Sequence, residues 1–441
     1  MRPNIAYRTA QVLLALSVLL ITACASFQPR RVIVAWHTMS GARERAFLRL
    51  VDRWNQINGN GIVIVPERRE PAAQHRAMLE GAAAGMLPAL ALVEPSEAAL
   101  YDQRGFLTSL DGFINGDDPT INWDAADRAD LFAFVQQAGR TPQGKWIGVP
   151  FGGDMRLVLS NRDWANTLGQ PEMPATWEAL EKVCNGATDR FAGTVCFGFD
   201  PYNASIEDWL SAHGAPIYDP LTQQLQIASP NVASAVEALL NYLQSGRAYR
   251  TTSPERSRDD FAAARALLAL TSSDHLGDFV RTVRERSNFA LDVGTLPAPA
   301  DAPADAPATS IHAPLWVIPK STDERERAAW RFVNWLLEIE QTARWASEAE
   351  QIPARASAFV QMDLDAEQPL DALRLKALRQ IAPRARPTPL LSGWPCVQAE
   401  LAGAVRQIIE GQPLNDALVL AQARAQNIVN AECDVHSALL Q

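Results

Sequence analysis

The chain has 441 residues, 47% of them apolar and 20% charged, with a formal net charge of -10 and a pI near 5.2. That length exceeds one ordinary core and suggests two domains, and the composition excludes a disordered chain. The acidic balance excludes nucleic acid as a partner, because phosphate backbones need basic patches.

Arg2 and Arg8 give a basic start, and an apolar run from Gln11 to Ile21 follows. The run is shorter than a membrane span and small residues follow it, as in an export signal. Ile21-Thr22-Ala23-Cys24 resembles a bacterial lipobox, whose cysteine becomes the lipid-carrying mature N-terminus. The expectation is a signal over residues 1–24 and an extracytoplasmic, lipid-anchored protein. A plain signal peptide with a chance cysteine is the alternative.

Val32 to Trp36, Ile62 to Val65 and Ala89 to Val93 are short apolar runs. Between them, Phe47, Leu50, Val51 and Trp54 recur at helical spacing, and a second helix runs through Ala77 and Leu79. Alternating strands and helices predict an α/β fold with a parallel sheet covered on both faces. Ligands bind beyond the carboxyl ends of such strands, which here end in Trp36-His37, Glu67 and Glu94. Further on, Ser229-Pro230 opens a helix that stops near Gly246. Ser321-Thr322-Asp323-Glu324 reads as a capping box before an amphipathic helix with Ala329, Phe332, Val333, Leu336 and Leu337 on one face. Residues 297–309 form a Pro/Ala-rich connector.

Beyond Cys24 the cysteines are Cys184, Cys196, Cys396 and Cys433. An even number in an exported chain suggests disulfides, and sequence proximity favours Cys184–Cys196 and Cys396–Cys433. Metal ligation is the rival reading, but there is no CxxC and no zinc-site spacing.

Several landmarks occur in a familiar order: GVPFGGDMRLVLSNRDW (148–164), then Pro174-Ala175-Thr176-Trp177, then DDFAAARALLAL (259–270). APLWVIPKSTD (313–323), AAWRFVNWLL (328–337), IPARASAF (352–359) and GQPLNDALVLAQ (411–422) follow. From about residue 32 onward this ordered set resembles the extracellular solute-binding proteins of ABC importers for sugars and glycerol phosphates. The APLWV stretch and the tail most resemble glycerol-3-phosphate-binding proteins. The resemblance implies a two-lobed, periplasmic-binding-protein-like fold, each lobe a mostly parallel sheet flanked by helices. The lobes would be 32–146 plus 308–342 and 147–300 plus 343–441. It also implies a small polar ligand, ABC permease subunits as partners, a monomer, and no cofactor or metal.

Sugar sites combine aromatic planes with carboxylates and amides. With 12 Trp against 6 Tyr, tryptophan is the expected aromatic. Trp36, His37 and Glu94 are candidates at strand ends, and Glu94 matches a ligand-binding Glu of the glycerophosphate binders. Asp154, after Gly152-Gly153, lies where relatives contact ligand. Trp177, Trp209 with His213, and Ser272-Ser273-Asp274 fall in segments near the cleft in relatives, with ordinary core as the alternative for the tryptophans. Trp394 matches a late loop that closes over ligand. Ile311-His312 stands where the glycerophosphate binders carry paired glycines, so His312 narrows the approach. The tyrosine usual after the second strand is absent from ERREPAAQ. Arg355, Arg384 and Arg386 could meet a phosphate, with a solvated surface role as the alternative.

An exported hydrolase is the rival function, with Glu94 and Asp154 as conceivable paired carboxylates. However, there is no GxSxG and no HExxH, and the six histidines are scattered. A sensory binding protein that docks on a receptor is the other alternative.

Overall fold

The computed structural model describes residues 31–200, 205–220, 222–251, 253–299, 302, 309–429, 431 and 433. The export signal, Cys24 and most of the Pro/Ala-rich connector lie outside these residues.

The described chain opens with β1 (Arg31–His37), α1 (Gly41–Ile57), β2 (Ile62–Arg68), α2 (Pro71–Ala84), β3 (Leu90–Val93) and α3 (Pro95–Gln103). The apolar positions expected on α1 are its buried face: Phe47, Leu50, Val51 and Trp54. Next come β4 (Gly152–Asn161), α4 (Trp177–Ala187), β5 (Val195–Phe199), α5 (Ser205–Ala212), α6 (Pro230–Gln244), β6 (Ala248–Arg250), β7 (Ala266–Ser272) and β8 (Leu291–Gly294). The chain ends with β9 (Thr309–His312), β10 (Leu315–Val317), α7 (Asp323–Leu336), α8 (Ile339–Ala349), β11 (Ile352–Pro353), β12 (Ala385–Pro387), α9 (Trp394–Ile409) and α10 (Leu414–Ile428).

Two main sheets result. The first has the order β10-β3-β1-β2, parallel except for β10 against β3. The second has eight strands in the path β12-β9-β4-β7-β5-β6, with β8 and β11 also pairing with β4. The expectation of a mostly parallel second sheet needs correction. β4 pairs antiparallel with β7, β8, β9 and β11, and only β5–β6, β5–β7 and β9–β12 are parallel. The long β4 takes partners on both sides along its length, so it acts as a spine through this sheet.

The chain passes between the sheets at Ala313-Pro314, since β9 joins the second sheet and β10 the first. The return to the first sheet therefore falls there. Two apolar cores form: one beneath the first sheet extending along β4, the other between β5 and the helices α4, α5, α6, α9 and α10.

Ser229 caps α6, its hydroxyl accepting from the Val232 N–H. At α7 the cap is Thr322, accepting from the Arg325 N–H, and the Ser321 N–H donates to Glu326. This replaces the expected Ser321–Glu324 box: the cap sits one residue later, so the reaching glutamate shifts as well. Both expected disulfides form, Cys184–Cys196 from α4 to β5 and Cys396–Cys433 from α9 to the tail. Arg355 is buried rather than solvated. Its guanidinium donates to Leu337 O at 2.5 Å, Asp127 Oδ1 at 2.8 Å and Asp130 Oδ2 at 3.4 Å, tying the segment after β11 to the first core.

Candidate functional site

A cavity of about 2600 Å³ runs between elements of the two sheets. One wall comes from α2, α3 and the end of β3, including His75, Glu94 and Ser96. The other comes from β4, α5, β9 and α9, including Arg156, Glu207, Asp208, Ser310 and Trp394. A second cavity of about 620 Å³ shares Thr38, Glu94 and His312 with the first, so these residues stand where the two meet.

Charged groups fill that junction. Arg43, in the first turn of α1, donates to Asp154 Oδ2 at 2.7 Å and to Asp274 Oδ2 at 2.6 Å. Asp154 lies on β4 and Asp274 just after β7, so one guanidinium from the first sheet's layer holds two carboxylates of the second. The Gln351 amide donates to the other Asp154 oxygen. Ser272 Oγ donates to Asp274 and lies 3.0 Å from His275 Nδ1, itself 3.2 Å from Asp274. His312, at the end of β9, meets Glu94, at the end of β3, with Nε2 to Oε2 at 2.6 Å.

The electrostatics follow from burial and these partners. Burial, then the charge of Asp274, pushes the Asp154 carboxyl up to about 6 against the pull of Arg43. Burial also works to raise Asp274, but hydrogen bonds from His275 and Ser272 outweigh it and hold the group below the usual range. Burial opposes ionisation of Glu94, yet the charge and hydrogen bond of His312 lower it. The Glu94 charge raises His312 in turn. Glu94 and His312 thus each favour the charged form of the other.

Further out, Asp208 accepts from Ser310 Oγ at 2.5 Å, and Arg156 Nε is 3.9 Å away. Glu207 accepts from the Gln398 amide. Trp394 and Tyr218 form an edge-to-face pair with centroids 6.1 Å apart, and both line the cavity.

Of the sequence candidates, the structure brings Glu94, Asp154, Asp274 and His312 together, with Trp394 in the outer wall. Ser272 and Ser273 support this group: Ser272 orients Asp274, and Ser273 Oγ accepts from the Met155 N–H. Three candidates are corrected. Trp209 has no exposed surface, because the helical period puts it on the inner face of α5 with Ile206 and Leu210; its indole donates to Ala235 O. Trp36 is almost fully buried beneath Arg69, whose guanidinium carbon is 3.7 Å from the ring centroid. His37 is 1% exposed and packs edge-on against Phe47. Trp177 packs on Trp209 and on His213, and of these three only His213 reaches the cavity. Gly152 and Gly153 serve strand packing: a Cβ there would lie 2.9 Å from Ile352 O and 2.8 Å from His312 O.

Arg43, Gln351, Arg156, Glu207 and Asp208 were not foreseen. For the α5 pair a signal existed. Ile206, Trp209 and Leu210 share the apolar phase, so Glu207 and Asp208 must face elsewhere.

Two layered sheets with a polar cleft between them define a ligand-capturing protein of the two-lobed binding class. The chain belongs to the bacterial extracellular solute-binding protein family, whose model matches residues 49–367. It is a binding protein and not an enzyme, and it works outside the cytoplasm. It is 23% identical over 336 residues to the sn-glycerol-3-phosphate-binding periplasmic protein UgpB of Yersinia pestis bv. Antiqua (strain Antiqua), covering 74% of each chain. In fold it resembles the sugar-binding protein MalE from Xanthomonas citri, with a TM-score of 0.75 and 18% identity, covering 90% of this chain and 97% of that one. It also resembles UgpB from Mycobacterium tuberculosis, solved with glycerophosphocholine, with a TM-score of 0.66 and 18% identity over 90% and 98%. No helix among the described residues is long and apolar enough to cross a membrane.

Proposed function

We propose that the chain captures a sugar, oligosaccharide, polyol or glycerophosphate-type ligand in the inter-sheet cleft and hands it to an ABC permease. The observation that carries this reading is the cleft itself: about 2600 Å³, walled by both layers, with carboxylates and an aromatic pair among its lining groups. Hydroxyl-rich ligands need such a mixture of acceptors and flat apolar faces. The binding residues in this reading are Glu94, Asp154, Asp274, His312 and Trp394, with Ser272 and Ser273 behind them.

The mature protein is proposed to be a monomer, anchored through lipid on Cys24. Its lobes are proposed as about 32–146 with the return through 342, and 147–300 with 343–441. Sheet membership supports this division, with the return beginning at Ala313. Closing the lobes over a ligand would present the permease with a shape the empty protein lacks.

The test is thermal unfolding of exhaustively dialysed protein with a panel of sugars, polyols and glycerophosphodiesters. A true ligand at one hundred times its Kd stabilises by about 2.7 kcal/mol, a plain rise in midpoint. If nothing in the panel shifts the midpoint, the reading fails.

A further inference from the structure

Three neighbouring strands of the second sheet carry a polar row into the larger cavity. Ser310 on β9 is paired in register with Arg386 on the edge strand β12. On its other side, one step before the Ile311–Met155 pair, Ser310 stands opposite Arg156 on β4. Residues opposite each other across a ladder point to the same face. The contacts agree: Ser310 Oγ donates to Asp208 at 2.5 Å, and Arg156 Nε lies 3.9 Å from the same carboxylate. Two strand spacings, about 10 Å, separate the α-carbons of the two arginines, so their long stems can close on one group above Ser310. Arg156, Ser310, Arg386 and Asp208 all line the cavity.

Arg386 is the charge in this row that nothing answers. It is exposed, and among the described residues its guanidinium makes no ion pair and no hydrogen bond. Arg156 has only Asp208, beyond hydrogen-bond reach. A guanidinium keeps its proton, so neither arginine can escape its charge by titrating. The acids nearby can: burial raises Asp208 to about 6 and Glu207, next to it on α5, to about 7. At neutral pH two guanidiniums therefore face one carboxylate that is mostly ionised and one that is about half ionised. The surplus is positive and suits a single negative charge; a phosphate dianion would overfill it.

We propose that this row is a subsite for the carboxylate of a uronic sugar. The carboxylate accepts from Arg156 and Arg386, and the hydroxyl on the neighbouring ring carbon donates to Asp208. The guanidinium fork matches a planar carboxylate. A neutral sugar would leave Arg386 without a counter-charge. A phosphodiester would set its ester oxygens, which only accept, against Asp208, whereas a uronate brings a donor beside its charge. The inference rests on the sugar-type reading of the cleft.

Calorimetric titration of the full chain with matched sugars tests it. Galacturonate, its α-1,4-linked dimer and glucuronate are each compared with their methyl esters, which keep the hydroxyls and lose the charge. At neutral pH the acid of at least one pair should bind at least about tenfold tighter than its ester, a difference of about 1.4 kcal/mol. R386M and R156M should each pull that ratio toward one, and R386K should keep part of it, since the charge stays and the fork is lost. In wild type alone, added salt should weaken the acid more than the ester, a reading that survives a variant's failure to fold. Equal affinities of acid and ester, or variants that keep the full preference, overturn the subsite. Binding of neutral sugars or glycerophosphodiesters without an acid preference overturns it and leaves the cleft reading standing. Silence across the whole panel overturns both.

Discussion

Arg43 is the side chain on which the inner cleft depends. Its guanidinium holds Asp154 and Asp274 at 2.7 and 2.6 Å, and the three groups are only partly exposed. Replacing it with methionine keeps the stem and leaves the two carboxyl groups facing each other without the cation between them. Removing one partner of a half-buried ion pair costs about 2 kcal/mol, so R43M should lower the urea midpoint by the corresponding amount. An unchanged midpoint would mean that solvent already screens the triad. The pH dependence of Asp154 has a definite sign. Its carboxyl rises from an ordinary 3.8 to about 6 in the folded protein, so the folded state binds more protons between those values. Its contribution is therefore greatest at low pH and is lost as pH rises through about 6. The stability of wild type minus that of D154N should fall from pH 4 to pH 6 and level off above. A difference that grows over that range would contradict the raised pKa. The two aspartates were candidates in the sequence, but their tie to Arg43 was not legible, because Arg43 lies 111 and 231 residues from its partners.

Helices and strands were far more legible than contacts. The first three strands and two helices followed directly from apolar runs and helical spacing, because each buries its own face. The mixed second sheet did not, since β4 takes its antiparallel partners from residues far along the chain. Trp209 shows why single aromatics mislead: helix phase, not residue type, decides whether a side chain meets core or cleft. The disulfides were legible because proximity in sequence left short loops to close. Closure entropy makes their contributions unequal: the 12-residue separation of Cys184–Cys196 implies about 3 kcal/mol, and the 37-residue separation of Cys396–Cys433 about 4 kcal/mol. The double alanine variant of the longer loop should therefore melt at the lower temperature. The reverse order would point to structure retained in the unfolded chain. T322A, which removes the cap of α7, should cost about 1 kcal/mol in the same assay.

At the scale of the molecule, two ionic contacts at the cleft join the layers: Arg43 to Asp154 and Asp274, and His312 to Glu94. Opening the cleft has to part at least some of these groups. The Glu94–His312 pair is at full strength between the ordinary carboxyl value of 4.5 and the ordinary imidazole value of 6.5. It fades as pH climbs through the raised pKa of His312. At pH 6, R43M and H312A should each enlarge the radius of gyration of the unliganded protein in solution scattering, and together should enlarge it most. Their stability losses should not add. Arg43 lowers the pKa of His312, so the two cations repel each other while drawing on the same carboxylates. Each single deletion already relieves that repulsion, so their sum counts the relief twice, and the double variant should be less stable than the sum of the single losses predicts by about 0.5 kcal/mol. A strictly additive cycle, with no change in dimensions, would mean that the two contacts act locally and do not set the distance between the lobes.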